Sequence, residues 1–120
     1  MANRIKSAFI PPPQNNYRLV ITTASSRKLL EKIADELISK RLAACVQITG
    51  KVTSVYRWKG KTEKADEYMC LIKTKDSLYN AVEKKIKELH SYDVPEIIAL
   101  PIVAGSAEYF DWIDKSLKDG

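Results

Sequence analysis

YRLVITTASSRKLLEKIADELISKRLAACVQI, residues 17–48, is the stretch on which the fold turns. Tyr17 to Ala24 is rich in β-branched residues and stops at polar turn formers, the mark of a strand. Ser25-Ser26 then offers a helix N-cap. Leu29, Leu30, Ile33, Ala34, Leu37, Ile38 and Leu42 recur every three to four residues, one apolar stripe on a helix over about 26–42. A second strand starts at Ala43. Strand, helix and strand in that order begin an α+β domain.

Downstream the pattern repeats in type, though not in sequence. Gly50 marks a bend or bulge in the second strand, which resumes from Val52 to Lys59. Gly60 opens a turn, and Asp66 to Thr74 is the third strand. Asp76-Ser77 caps a second helix that buries Leu78, Val82, Ile86 and Leu89, and Pro95 ends that region. Ile97 to Val103 is a fourth strand, with Pro101 placing it at an edge or bulge. Gly105-Ser106 starts a last helix carrying Tyr109, Phe110, Trp112, Ile113 and Leu117. The order is βαββαβ plus a C-terminal helix. That predicts a ferredoxin-like sandwich, a four-stranded antiparallel sheet with helices on one face.

Residues 1–16 contain Pro11-Pro12-Pro13 and a polar run with no apolar face, so they read as a flexible Pro-rich tail before a domain over 17–120. The 120 residues are 45% apolar and 29% charged, which suits one globular domain and argues against wholesale disorder. No apolar run reaches the roughly 20 residues that span a bilayer, and the N-terminus lacks a signal-peptide core, so a cytoplasmic protein with no membrane insertion is expected. Net charge is +5, or +3 without Arg4 and Lys6, which favours anionic encounters only mildly.

The hairpin register carries a quaternary expectation. A turn centred near residue 62 pairs Trp58 near Asp66 and Gly50 near Thr74. Residues 45–49 then project past the third strand. An uncovered strand end is an aggregation hazard, and a second subunit is the economical cover. In that register Cys70 faces residue 54 and lies roughly 30 Å from Cys45.

Candidate chemistry is sparse. Cys45 and Cys70 sit in apolar contexts and read as structural thiols in a reducing compartment. His90, the single histidine, lies in a polar, aromatic and acidic stretch where a helix gives way to a strand. It reads first as a helix cap. Structural zinc needs about four ligands, more than Cys and His supply here. A cysteine hydrolase needs an orienting acid and an exposed, low-pKa thiolate, and the neighbours of Cys45 are small and apolar. Glu67, Lys73 and Glu96 could move protons, but separate charges do not make an enzyme, so no catalytic residue is assigned. Base stacking on the third strand needs a glycine and several aromatics; Asp66 to Ile72 opens acidic with one aromatic, which excludes nucleic acid. The first strand-to-helix junction lacks the glycine of an acylphosphatase phosphate loop.

Several motifs point one way together. They are Ala43-Ala44-Cys45, Val52 to Lys61 (VTSVYRWKGK), Ile72-Lys73-Thr74, His90-Ser91-Tyr92-Asp93-Val94-Pro95-Glu96, and Tyr109-Phe110-Asp111-Trp112-Ile113. Over about 17–117 the chain closely resembles the CutA family of divalent-cation tolerance proteins. The resemblance implies a homotrimer of PII-like architecture. It also implies an inter-subunit cleft, carried by motif onto Tyr56, Trp58, Glu67, Lys73, His90, Tyr92, Pro95 and Glu96. It implies metal-ion tolerance and homeostasis, with copper or another divalent cation bound and no cofactor required. Cys45 and His90 are the softest ligands on offer, from different subunits if necessary. A PII-like regulatory module binding a small anion or metabolite is the alternative, with Lys73 and Arg57 as its cations. A trimeric scaffold for another protein is the third. The chain departs from the family where His-Pro-Tyr-Glu becomes His90-Ser91-Tyr92-Asp93. It departs again where some relatives place a first-strand cysteine and this chain has Thr22, which weakens a cysteine-rich copper site.

Overall fold

A computed structural model describes residues 16–118. All of the Pro-rich tail except Asn16, and the last two residues, lie outside it. The elements are β1 (Tyr17–Ala24), α1 (Arg27–Ser39), β2 (Cys45–Trp58), β3 (Lys61–Lys75), α2 (Tyr79–Leu89), β4 (Ile97–Pro101) and α3 (Ala107–Ser116). One four-stranded sheet runs β2-β3-β1-β4, each neighbour antiparallel. The α+β class, the element order and the edge position of Pro101 follow the sequence reading.

Local chemistry sets the helix ends. The Ser26 hydroxyl accepts from the Leu29 amide at 3.2 Å and starts α1. Leu30, Ile33 and Leu37 are its fully buried face. α1 stops sooner than its apolar stripe because Arg41 enters the left-handed region at φ 57°. Leu42 is buried all the same, as the chain turns back into the core. Arg41 also has a remote task. Its guanidinium donates to the carbonyls of Lys115, Ser116 and Leu117 at 2.8–3.2 Å. These are unpaired C-terminal carbonyls of α3, which a cation is suited to satisfy.

The expected cap of α2 does not form. Asp76–Leu78 makes a single 3-10 turn, and no side chain caps Tyr79–Leu89. Asp76 is held elsewhere: its carboxylate pairs with Arg18 at 3.2 Å and its amide donates to the Asn16 carbonyl at 2.7 Å.

The hairpin register also differs from expectation. Trp58 pairs with Lys61, so only Lys59 and Gly60 form the turn. Both have positive φ, 51° and 78°, as a type I′ hairpin turn requires. The third strand therefore begins at Lys61, and Cys45 pairs with Lys73. No part of 45–49 overhangs, because the two-residue turn shifts the pairing along β3; the bulge predicted at Gly50 falls between Thr49 and Val52 and adds one residue to that shift. Cys70 faces Ile48, about 10 Å along the strand from Cys45 rather than 30. The overhang argument for a second subunit falls with this register.

One sheet face carries Val20, Thr22, Ala24, Cys70, Ile72 and Thr74, all buried with Leu30, Ile33, Leu37, Val82, Ile86 and Ile113. Each fully buried aliphatic side chain is worth about 1.5–3 kcal/mol, so this layer dominates stability. The opposite face is also apolar. Pairing places Leu19, Ile21, Met69, Leu71, Ile98 and Leu100 together there. Ile98 and Leu100 are 48% and 43% exposed. An antiparallel sheet with one solvated face normally alternates apolar and polar, and β1 does not.

Candidate functional site

Beyond the bulge, β2 presents Ser54, Tyr56 and Trp58 on the apolar open face, and the register puts Glu67 of β3 there too. The 90–96 segment crosses the end of β1 beside them. Glu67 is buried, and each of its oxygens accepts one hydrogen bond. The Ser54 hydroxyl donates to Oε1 at 2.6 Å, and the Tyr92 hydroxyl donates to Oε2 at 3.0 Å. Burial raises the Tyr92 phenol above its ordinary value; Ser25 works against that and Glu67 adds to it. The phenol therefore stays a donor at neutral pH.

His90 supports this arrangement from below. The Tyr92 amide donates to Nδ1 at 3.1 Å. Nδ1 is thus an acceptor, and Nε2 carries the proton that it donates to the Thr23 carbonyl at 2.7 Å. The His90 and Tyr92 rings lie 4.7 Å apart. A chain of contacts runs from the end of β1 through His90 and Tyr92 to Glu67 and Ser54. Above it opens a cleft of about 730 Å³, lined by Thr23, Ser54, Val55, Tyr56, Trp58, Glu67, Tyr92, Asp93, Val94 and Glu96.

Five of the eight residues assigned to a cleft therefore meet in one place: Tyr56, Trp58, Glu67, Tyr92 and Glu96. His90 positions them without lining it. Pro95 does not line it either. Lys73 lies six residues from Glu67 on β3, about 20 Å away, and its ammonium donates to the Tyr109 hydroxyl at 3.3 Å. Ser54, Thr23 and Asp93 were not foreseen. Ser54 alternates with Tyr56 and Trp58, so period-two counting would have found it.

The metal candidates stay apart within one chain. Cys45 is half-buried on the open face opposite Lys73. His90 binds Thr23, which is level with Thr49, about 13 Å along β2 from Cys45. Both His90 nitrogens are engaged. Cys70 faces the core, where burial pushes its thiol up to about 12. Among the described residues no three His, Cys, Asp or Glu side chains gather as a metal site. Within one chain, the described residues therefore gather no metal donor set. Nor, among the described residues, is any helix long and apolar enough to cross a membrane.

Comparison with known proteins is consistent across sequence and structure. Residues 18–116 match the family described as CutA1 divalent ion tolerance protein. The divalent-cation tolerance protein CutA of Thermus thermophilus is 42% identical over 95 residues, covering 79% of this chain and 92% of that protein. The chloroplastic CutA 1 of Oryza sativa is 40% identical over 84% of this chain, which spans just 57% of that longer relative. The crystal structure of CutA1 from Oryza sativa superposes with a TM-score of 0.85 at 38% identity, covering 88% of this chain and 97% of the other.

Proposed function

This chain belongs to the CutA1 divalent ion tolerance protein family, and from that premise we propose that it is a non-enzymatic metal-tolerance protein, a ferredoxin-like subunit of a PII-like homotrimer in the cytoplasm. Copper or another transition-metal cation is its cargo. One observation carries the proposal. Cys45 lies on the same uncovered face as Leu19, Ile21, Leu71, Ile98 and Leu100, the face a second copy would cover. Assembly there would place the Cys45 thiol at a subunit interface, and thiolates suit soft cations. His90, with both nitrogens engaged, supports the cleft instead of binding metal.

Sedimentation with and without Ile98→Glu tests the assembly. On an isolated chain, changing a half-exposed isoleucine costs little. In a trimer packed through this face it buries a charge and yields monomer. Titration with Cu(I), Cu(II) and Zn(II) against a chelator of known affinity tests the cargo. Saturable copper binding that is lost in Cys45→Ala supports the reading. Weak, unselective binding unchanged in that variant rejects it.

A second reading is favoured by the cleft itself: a regulatory module that binds a small molecule. Its volume lies within the range of small-molecule sites. Of the two cations expected to serve an anion there, neither Lys73 nor Arg57 lines the cleft within one chain.

A further inference from the structure

We propose that His90 is a pH-sensitive latch: on gaining a second ring proton it expels the Tyr92 amide and so frees the 91–96 segment from Glu67. Hydrogen-bond polarity admits only a neutral ring in the closed form. The Thr23 carbonyl can only accept, so Nε2 donates to it across 2.7 Å. The Tyr92 amide can only donate, so Nδ1 accepts from it at 3.1 Å. A neutral imidazole has one donor and one acceptor and satisfies both, whereas an imidazolium has two donors. Its Nδ1–H would face the Tyr92 N–H, and turning the ring over presents another N–H. His90 is buried, and a buried donor without a partner is costly.

The segment beyond His90 depends on that bond. Among the described residues, Tyr92 carries the hydrogen bonds that tie 91–96 to the rest of the chain: its amide to His90 and its hydroxyl to Glu67. With the amide expelled, the Tyr92 ring leaves its place 4.7 Å from the imidazole, and Glu67 keeps Ser54 as its partner. All these contacts lie within one chain. They do not depend on whether a second copy covers the open face, and further burial there only raises the cost of the second proton.

The charged neighbours do not offset that cost. His90 is in no ion pair among the described residues. At the end of α2, Glu88 is exposed and paired with Lys85 at 3.0 Å. The end of β1 and the loop to α1 present Thr23 and Ser25, both uncharged. β3 presents Glu67, which reaches the ring only through Tyr92. The segment itself carries Asp93 and Glu96, both exposed. In water, carboxylates titrate near 4 and imidazole near 6.5. The open state therefore takes up a proton near pH 6.5 for which the closed state has no place. Opening grows as pH falls below that value, by up to about tenfold per pH unit.

Amide hydrogen exchange of the full-length protein in its native assembly, followed by NMR between pH 7.5 and pH 5 and corrected for intrinsic exchange, reads the latch. The Tyr92 amide should lose protection at least tenfold across that range, while the Val82 amide in α2 keeps its own. His90→Asn sets a carbonyl oxygen close to where Nδ1 stands and cannot titrate, so its Tyr92 amide should be equally protected at both ends of the range. Glu67→Gln should keep the pH dependence of the parent. Equal protection of Tyr92 at pH 7.5 and pH 5 in the parent overturns the proposal. So do His90 ring-nitrogen shifts that report an imidazolium while the Tyr92 amide stays protected, a result that needs no variant to fold. A pH dependence that persists in His90→Asn, or vanishes in Glu67→Gln, assigns the switch to a carboxylate and overturns it as well.

Discussion

His90 Nε2 donates to the Thr23 carbonyl across 2.7 Å, and so ties the 90–96 segment to the end of β1. The bond lies in a buried setting, and the other ring nitrogen accepts from the Tyr92 amide. His90→Ala would strand both partners. Leaving a buried acceptor and a donor unpaired costs about 1–3 kcal/mol. The expected result is a loss of unfolding free energy of that size, read from urea denaturation, and a weakened Tyr92–Glu67 contact, with copper affinity unchanged. A variant that loses copper and keeps its stability would restore His90 as a ligand.

The two thiols should behave as opposites. Cys45 is half-buried and faces the open side, while Cys70 is fully buried beneath the helices. Iodoacetamide should label Cys45 ahead of Cys70, and faster in the monomeric Ile98→Glu variant than in an assembly that covers this face. Burial raises Cys70 from 9.0 to about 12, so above pH 9 the unfolded thiol ionises and the folded one does not. The unfolded state then binds fewer protons, and stability falls as pH rises. The slope attributable to Cys70 should approach about 1 kcal/mol per pH unit between its two values. Denaturation at pH 8 and pH 10 should show this loss in the parent chain and a smaller one in Cys70→Ala. Equal losses in both would detach the effect from Cys70.

Element types were legible because apolar periodicity reports burial directly: the stripe from Leu29 to Leu37 is the buried face of α1. The hairpin register was not, for a local reason. Type I′ turns favour asparagine or aspartate before glycine, and here Lys59 takes the left-handed position. The eye passes over it to a later turn. The same strain makes a prediction. Lys59→Asn, which eases a φ of 51°, should stabilise the hairpin by about 0.5–1 kcal/mol. A lower melting temperature would mean that the Lys59 contact with Trp58 outweighs backbone strain.

The site was half legible for a related reason. Tyr56, Trp58, Glu67, Tyr92 and Glu96 share motifs and meet in the cleft. Lys73 shares a motif too, but it belongs with Cys45 and Tyr109 at the far end of the sheet. Motif proximity says which residues matter together, and strand register decides which ones touch. Ser54 shows the converse: it lies in the Val52–Lys61 motif without being assigned to the cleft, and its hydroxyl makes the shorter contact to Glu67.

Thr22 offers the last prediction. It is fully buried on the helix-facing side of β1, between Cys70 on β3 and Ile97 on β4. Its hydroxyl is the buried side-chain oxygen without a hydrogen-bond partner among the described residues. Valine has nearly the same shape, suits a strand, and removes the desolvated oxygen. An unsatisfied buried polar group costs about 1–3 kcal/mol, so Thr22→Val should raise stability by about 1 kcal/mol, read from chemical denaturation at pH 7. Serine at the same position keeps the hydroxyl and loses a methyl, so Thr22→Ser should fall below the parent. If valine instead destabilises, the hydroxyl has a partner in solution, and a buried water between β1 and the helices is the candidate to seek by crystallography.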